Sequence, residues 1–309
     1  MIVTLTLNPS LDRALSVPQL EPGTLHRAQF IRQDLGGKGF NVSRALRALG
    51  IPSHIIGVIG GRTGRALRDG LLADGFDIHL VEVEGETRQN VTLLDESTGL
   101  YTKINEPGPT LGPQHIAALG ALTQRMVQPG DLWALCGSLP PGAPQDLYAV
   151  LIRVVQRGGG SAFLDTSGPA FRAGLQAGPF AIKPNSEEAA EVLQTSLSSD
   201  QDHCQAARDL QSKGMRLVAL SRGAQGMVVA KDGTLVTATP PSVTARSPVG
   251  AGDASLAGLL WAVSDHCDPI ETARRAVACG TAAAMQDGSG VGDRSLVETL
   301  IQHVQVTAM

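Results

Sequence analysis

The stretch Pro248-Val249-Gly250-Ala251-Gly252-Asp253 is followed at once by an apolar segment, residues 254–263, that carries no charged side chain. Small residues let the backbone N–H groups of a loop and a helix N-terminus converge on an anion, and the positive end of the helix dipole adds to the attraction. We therefore predict a helix over 254–263, preceded by an anion-binding loop. Asp253 would lie in the first turn, where a carboxylate could take a proton from an attacking hydroxyl beside a phosphoryl group. A carboxylate that only caps the helix is the alternative.

Outside this loop, short apolar runs rich in β-formers alternate with segments of helical period. In the clearest helix, Val42, Ala45, Leu46 and Leu49 share one face, and Gly50 can end it. Such alternation is typical of a mostly parallel sheet covered by helices on both faces, an α/β fold. The predicted strands are 2–7, 54–59, 131–136, 162–165, 180–183 and 217–221, and the other predicted helices are 114–126, 145–156, 187–193, 204–213, 270–285 and 295–304.

Two regions break the alternation. Residues 80–106 lack a helical period, and apolar side chains alternate on both sides of the turn-rich segment 95–99, which predicts a β-hairpin. Residues 14–32 also lack a helical period and carry two prolines. We predict a single domain over 1–309, with a small β-sheet formed by about 13–34 and 80–106 that stands off the main sheet. A two-stranded ribbon is marginal in water, so this sheet is expected to cover a ligand, a partner subunit, or both.

Two polar segments are candidates for binding a polyhydroxylated ligand. Residues 36–41, Gly-Gly-Lys-Gly-Phe-Asn, precede the best-defined helix and match neither a Walker A motif nor a GxGxxG dinucleotide loop. Their glycines would permit close approach to the backbone, and Asn41 could both cap the helix and bind the ligand. Asp12 follows the first predicted strand, at the edge where open α/β sheets bind ligands. A turn or capping role is the alternative for both segments.

Two further segments follow predicted strands and suit a nucleotide and its metal ion. Residues 183–188, Lys-Pro-Asn-Ser-Glu-Glu, open a helix on which Asn185 and Glu188 share a face and could organise a hydrated Mg²⁺. A capped helix with an acidic first turn is the alternative. Residues 221–226, Ser-Arg-Gly-Ala-Gln-Gly, form a glycine-rich turn that by itself indicates only a hairpin.

Taken together, segments 36–41 and 249–253 resemble the two signatures of the ribokinase-type (PfkB) carbohydrate kinases, in the expected order. Segment 183–188 is similar to that family's KPNxxE segment, and the resemblance extends essentially end to end. It implies a three-layer α/β/α ribokinase-like fold with a β-sheet lid, and ATP and Mg²⁺ as co-substrates. It also implies a homodimer built through the lids, and leaves activation by K⁺ open.

The resemblance gives each candidate residue a role by its position. Asp253 is the expected catalytic base, and Gly250, Ala251 and Gly252 form the expected anion hole. The sugar is expected to be held by Asp12, Gly37, Lys38 and Asn41, and its phosphate by Arg88 and Ser138 with Arg27 as a helper. The nucleotide side is expected to comprise Lys183, Asn185, Ser221, Gly223 and Gly226. Mg²⁺ is expected near Glu188, Asn185 and Asp165, through water.

Segments 6–12, 87–90, 105–109 and 137–142 resemble the phosphosugar branch of that family, which comprises 1-phosphofructokinases, tagatose-6-phosphate kinases and minor 6-phosphofructokinases. Segment 105–109 and the pattern at Thr24 and Arg27 favour the first of these, whereas Pro248 favours the second. The expected reaction is therefore phosphorylation of fructose 1-phosphate by ATP, with the sugar epimer left open. A non-catalytic sugar-phosphate sensor is the rival hypothesis, and an intact base beside an intact anion loop argues against it. A dehydrogenase is disfavoured because no strand-GxGxxG-helix unit is present.

Composition restricts the partners. A formal net charge of -4 gives no general attraction to nucleic acid or anionic lipid. No apolar run approaches the ~20 residues that span a bilayer, and the N-terminus lacks the basic start of a signal peptide. The 4 cysteines and 7 histidines form no metal-ligand pattern. These features predict reduced core thiols, no zinc site and a cytoplasmic protein.

Overall fold

The computed structural model describes residues 1–288 and 290–309 and is built on a ten-stranded sheet. In spatial order its strands are β14 (Gln305–Ala308), β13 (Thr234–Thr239), β12 (Met227–Lys231), β11 (Leu217–Ser221), β10 (Ala181–Ile182), β9 (Ser161–Asp165), β8 (Leu132–Cys136), β1 (Ile2–Thr6), β4 (His54–Gly60) and β5 (Asp77–Val83). The run from β11 to β5 is parallel, and β12, β13 and β14 continue it antiparallel. The central strands are buried along their whole length, as expected for a sheet covered on both faces.

Helices cover both faces of this sheet and form two large apolar cores. One face carries α1 (Lys38–Ala48), α2 (Gly61–Ala73), α8 (Ala251–Ser264), α9 (Pro269–Ala284) and α10 (Arg294–Ile301). The other carries α3 (Pro113–Met126), α4 (Leu147–Arg157), α5 (Gly168–Leu175), α6 (Ser186–Leu193) and α7 (Asp200–Ser212). The predicted α/β architecture is confirmed. Among the described residues, no helix combines the length and the apolar character needed to cross a membrane.

Several elements differ from the sequence prediction. Helices α2 and α5 and strands β5, β12, β13 and β14 were not predicted. Helix α2 carries glycines where it packs closely: a Cβ at Gly64 would lie 2.9 Å from Ile59 Cβ, and glycine lowers helix propensity. Helix α1 begins at Lys38 with Gly37 as its N-cap. Asn41 therefore lies inside the first turn and does not cap the helix.

The second sheet has four strands in the order β3 (Gln29–Gly36), β2 (Ser10–Val17), β6 (Arg88–Asp95) and β7 (Leu100–Asn105). Strands β2 and β6 are parallel, and the two outer pairs are antiparallel. The predicted hairpin is β6 and β7. Residues 80–83, which we expected in this small sheet, instead belong to β5 and pair with β4 in the main sheet.

The small sheet has one polar and one apolar face. Asp12 pairs with Asn90, and Ser10 with Arg88, so these side chains lie on one face because side chains alternate along a strand. Leu15 pairs with both Phe30 and Leu93 on the opposite face. Phe30 on β3 is 59% exposed and Ile104 on β7 is 57% exposed. The apolar face is therefore largely open in a single chain.

Candidate active site

The N-terminus of α8 forms the centre of the candidate site. Gly250 is its N-cap, with a φ of 80°, in the left-handed region that favours glycine. A Cβ at Gly252 would lie 3.5 Å from Nζ of Lys183. The ammonium of Lys183 thus lies against the loop whose N–H groups face outward from the helix. Backbone donors, helix dipole and lysine together make this a site for an anion.

Asp253, in the first turn of α8, is a buried carboxylate. Its Oδ2 accepts a hydrogen bond of 2.7 Å from Nδ2 of Asn41. Burial, and next the negative charge of Asp165, raise the pKa of Asp253 to about 6, against the hydrogen bond from Asn41 and the charges of Lys38 and Lys183. A carboxylate with this pKa is ionised at neutral pH and is a stronger base than an exposed aspartate.

Asp165, at the end of β9, holds the two lysines of the site. Its Oδ1 accepts a hydrogen bond of 2.9 Å from Lys38 Nζ, and its Oδ2 lies 3.2 Å from Lys183 Nζ. Burial alone would raise the pKa of Asp165, but the two ammonium groups outweigh it and the pKa is lowered. The same pairing raises the pKa of Lys38 above its usual value, although burial opposes the shift. One carboxylate thus holds the side chains of both lysines.

Asp12 lies on the polar face of the small sheet, next to Gly36. Its Oδ1 accepts hydrogen bonds from Ser10 Oγ at 2.6 Å and from Asn90 Nδ2 at 2.9 Å. A side chain at Gly36 would collide with the Asp12 carboxyl group. The carboxylate is therefore oriented by two donors, and the glycine leaves it room.

Arg88 and Asn8 both contact the segment that follows β7, and Asn8 also contacts Ser138. Arg88 Nη1 donates to the carbonyl of Glu106 at 3.2 Å, while its Nε is buried and has no hydrogen-bond partner among the described residues. Asn8 Nδ2 donates to the carbonyl of Pro107 at 3.0 Å and lies 3.4 Å from Ser138 Oγ. Arg88 thus keeps donor capacity for a ligand.

Asn185 and Glu188 form a capping box at the start of α6. Asn185 Oδ1 accepts from the Glu188 N–H at 2.8 Å, and Glu188 Oε2 accepts from the Asn185 N–H at 2.9 Å. The alternative that these residues cap a helix is therefore confirmed. The box uses only one oxygen of the Glu188 carboxylate.

Ser221 ends β11 beside the capping box, because Asn185 and Ser221 form a parallel β-bridge. The following turn joins β11 to the antiparallel strand β12, so it is a hairpin turn. Gly226 has a φ of 89°, and a Cβ there would collide with the carbonyl of Ala238. Gly223 has a φ of 58° and no heavy atom within 4 Å of an added Cβ, so its surface is open. Close backbone packing requires glycine at position 226, whereas the backbone at Gly223 is open to a ligand.

Arg27 lies apart from Arg88, the residue that it is expected to help. It is exposed between β2 and β3, next to the end of the small sheet where Ser16 pairs with Gln29. Arg88 lies at the other end, opposite Ser10, roughly 20 Å away at the rise of a β-strand. Within one chain, Arg27 does not reach the position of Arg88.

Three residues of the site were not singled out from the sequence: Asn8, Asn90 and Arg44. Asn8 and Asn90 lie inside the segments 6–12 and 87–90 that carry the family resemblance, which was the only signal for them. Arg44 lies one turn after Asn41 on α1 and donates to its Oδ1 at 2.9 Å. On a helix, such an arginine is normally solvated, so its pattern gave no signal.

The family pattern, the sequence relatives and the solved structures that resemble this chain are all carbohydrate kinases. The pattern of the pfkB family carbohydrate kinases matches residues 6–294. The 1-phosphofructokinase of Rhodobacter capsulatus is 36% identical over 309 residues, which cover 100% of this chain and 98% of the relative. Phosphofructokinase-2 from Escherichia coli in complex with potassium superposes with a TM-score of 0.93 at 30% identity, over 98% of both chains. The tetrameric inhibited form of that enzyme gives a TM-score of 0.91 at 30% identity and the same coverage.

Proposed function

The chain belongs to the pfkB family of carbohydrate kinases, and we propose that it transfers the γ-phosphoryl group of ATP to fructose 1-phosphate, giving fructose 1,6-bisphosphate and ADP. It is an ATP-dependent sugar-phosphate kinase. The observation that carries the proposal is the buried carboxylate of Asp253, held by Asn41 at the helix terminus where Lys183 lies. A base and an anion site in one place are what phosphoryl transfer to an alcohol requires. A sensor that only binds sugar phosphates would have no need of the base.

Asp253 acts as the general base. Its carboxylate takes the proton from the C6 hydroxyl of the sugar, the freed oxygen attacks the γ-phosphorus, and the bond to the β-phosphate oxygen breaks so that ADP leaves. A positioned proton acceptor of this kind contributes roughly 10²-fold to 10⁴-fold to the rate. The raised pKa of Asp253 strengthens the base and still leaves it ionised at neutral pH.

The loop Gly250–Gly252 and the two lysines stabilise the charge that spreads over the transferring group. Backbone N–H groups at a helix terminus are fixed before the reaction, so they need no reorganisation when charge develops. Lys183 and Lys38 add positive charge, and Asp165 fixes both ammonium groups. Asp165 therefore acts as a positioning residue for the phosphate side of the site.

The small sheet is proposed to bind the sugar phosphate and to act as a lid. Arg88, with donor capacity left over, and Ser138 would hold the existing phosphate, since a guanidinium can bind phosphate through two parallel hydrogen bonds. Asp12, oriented by Asn90, would accept hydrogen bonds from sugar hydroxyls, and Gly37, Lys38 and Asn41 would complete the sugar site. Closure of a lid also excludes water, which otherwise competes as the acceptor.

Mg²⁺ is proposed to accompany ATP on the side of α6. The fit rests on the donor set: Glu188 uses one carboxylate oxygen in the capping box, and its second oxygen suits an ion that keeps most of its water shell. Asn185 and Glu188 would hold the hydrated ion, with Asp165 nearby through water, and the ion would neutralise charge on the ATP phosphates. Activation by K⁺ is a further proposal, supported by the potassium complex of the Escherichia coli relative.

A homodimer formed through the apolar faces of the small sheets is also proposed. Phe30 and Ile104 are more than half exposed on that face, and Leu15 and Leu93 lie between them. A contiguous exposed apolar patch is typical of an interface. The proposed substrates, ATP and a sugar phosphate, and the free thiols of Cys136, Cys204, Cys267 and Cys279 support a cytoplasmic location.

The test is ADP release, followed with a coupled assay, from saturating Mg-ATP and each of three sugars: fructose 1-phosphate, tagatose 6-phosphate and fructose 6-phosphate. We expect kcat/KM for fructose 1-phosphate to exceed the other two by at least about tenfold, which corresponds to ~1.4 kcal/mol in transition-state binding. Preference for one of the others would keep the mechanism and overturn the substrate. If none of the three sugars supports ADP release, a non-catalytic sugar-phosphate sensor would be the better hypothesis.

A further inference from the structure

Arg44 links the side chain of Asn41, on α1, to the end of strand β3. From α1 its Nη1 donates to Asn41 Oδ1 at 2.9 Å, and its Nη2 donates to the carbonyl of Leu35 on β3 at 2.6 Å. The side chain is half-buried, and burial lowers the pKa of its guanidinium while the charges of Asp74, Asp34 and Asp12 oppose that shift.

The two contacts of Asn41 fix which way its amide points. A guanidinium can only donate and a carboxylate can only accept, so the oxygen of the amide must face Arg44 and its nitrogen must face Asp253. With Arg44 present, the reversed amide would place its nitrogen against a donor and its oxygen against the carboxylate. Arg44 and the carboxylate of Asp253 therefore favour the same orientation, in which Asn41 donates to Asp253.

The second contact of the Arg44 guanidinium, to the Leu35 carbonyl, anchors it. Leu35, whose carbonyl accepts from Nη2, packs against a buried apolar cluster that contains Phe40, Ile55 and Leu67. These side chains belong to α1, β4 and α2, so packing against them ties the end of β3 to the main sheet and its helices and holds the Leu35 carbonyl in place for the guanidinium. Asn41 itself lies in the first turn of α1 and is half-buried.

We propose that Arg44 is a positioning residue for the phosphoryl-transfer reaction: anchored on the Leu35 carbonyl, it orients the Asn41 amide so that this amide aligns the carboxylate of Asp253. The proposal rests on the proposed function in one respect, that Asp253 is the base. It holds whichever sugar phosphate is the acceptor, because Arg44 acts on the base and not on the sugar.

The first test needs no turnover. A crystal structure of Arg44→Met, which keeps most of the side-chain length, is compared with that of the wild type. We expect the Asn41 amide to leave Asp253, with the distance between Asn41 Nδ2 and Asp253 Oδ2 rising from 2.7 Å to beyond about 3.5 Å, outside hydrogen-bond range. An unchanged Asn41 side chain would overturn the proposal, and this result can be read even if no sugar phosphate is phosphorylated.

The second test is a double-mutant cycle on kcat, with the acceptor that the wild type uses best. Arg44→Met should lower kcat about tenfold, as expected for the loss of a hydrogen bond to a charged group, with KM for ATP nearly unchanged. In the Asn41→Ala background the same substitution should change kcat by less than about twofold, because a residue that acts through Asn41 has nothing left to position. Equal losses in both backgrounds would contradict the proposal.

Arg47→Met is the matched control for both tests. Arg47 lies one turn further along α1, and its exposed side chain stacks over the ring of Phe76 at 4.9 Å. The control removes the same charge from the same helix without touching Asn41. We expect wild-type kcat and an unmoved Asn41 side chain, so a loss of kcat here equal to that of Arg44→Met would assign the effect to helix charge and overturn the proposal.

Discussion

The side-chain amide of Asn41 donates a hydrogen bond of 2.7 Å to the carboxylate of Asp253, a residue 212 positions later in the chain. This bond joins the first turns of α1 and α8. The two glycine-rich segments, 36–41 and 249–253, therefore meet at one carboxylate. The pKa of this carboxylate depends on groups from several elements: Asn41 and Lys38 on α1, Lys183 after β10 and Asp165 on β9.

The pH dependence of kcat should show the raised pKa of Asp253. The base must be ionised to accept a proton, so kcat should fall about tenfold per pH unit below a pKa of about 6. Asp165→Asn should move this acid limb to lower pH, because the negative charge of Asp165 contributes to the raised pKa. The measurement is kcat at saturating substrates from about pH 5 to pH 8. A flat profile down to about pH 5 would exclude Asp253 as the titrating base.

Asp253 should also lower the stability of the folded protein at neutral pH. Its folded pKa of about 6 lies above the ordinary value of 3.8, so the folded state holds the proton more tightly and the free energy of unfolding decreases as pH rises through this window. Asp253→Asn removes that effect and should stabilise the protein at about pH 8 by on the order of 3 kcal/mol. Thermal unfolding of both proteins measures it. At about pH 4 the difference should largely vanish; a gap independent of pH would contradict the assignment.

Arg88→Ala should raise KM for the sugar phosphate by roughly one to two decades, the effect of losing one charge-assisted contact to phosphate. KM for ATP should change much less. The reason is the unused donor capacity of a half-buried guanidinium at the start of β6. Steady-state kinetics with each substrate varied in turn decides it. Equal effects on both substrates would indicate that Arg88 only supports the small sheet through the Glu106 carbonyl.

Phe30→Glu should split the proposed dimer into monomers, because it places a charge on the apolar face of the small sheet. Sedimentation velocity at micromolar concentration measures the assembly. Leu72→Glu is the control: Leu72 on α2 is 52% exposed, close to the 59% of Phe30, but lies outside that face. Wild-type protein that is monomeric, or a Phe30→Glu variant that stays dimeric, would remove the small sheet as the interface.

Sequence pattern was sufficient where one element carries its own signal. The apolar period of α1, the buried runs of β1 and β8 and the hairpin of β6 and β7 each follow from neighbouring residues, and all are present. The capping box of Asn185 and Glu188 likewise has a spacing of three that can be read directly. Helix α2 could not be predicted because its glycines, required by close packing at Gly64 and Gly70, weaken the helical signal.

The site was harder to predict because its contacts span distant parts of the chain. The pairing of Asp12 with Asn90 depends on the parallel register of β2 and β6, which no local pattern encodes. In the sequence nothing distinguishes Arg44 from other helical arginines, because its two acceptors, Asn41 and the Leu35 carbonyl, are brought to it only by the fold. The position of Gly226 is explained by packing against Ala238, a contact between strands rather than a ligand signal.

The most direct test of the account is kcat of Asp253→Asn with ATP and fructose 1-phosphate, measured beside the wild type. Asparagine keeps the shape of the side chain and its acceptor for Asn41 but cannot take the proton. We predict that kcat falls roughly 10²-fold to 10⁴-fold while the fold and ATP binding are kept. A variant that retains more than about a tenth of wild-type kcat would show that Asp253 is not the base.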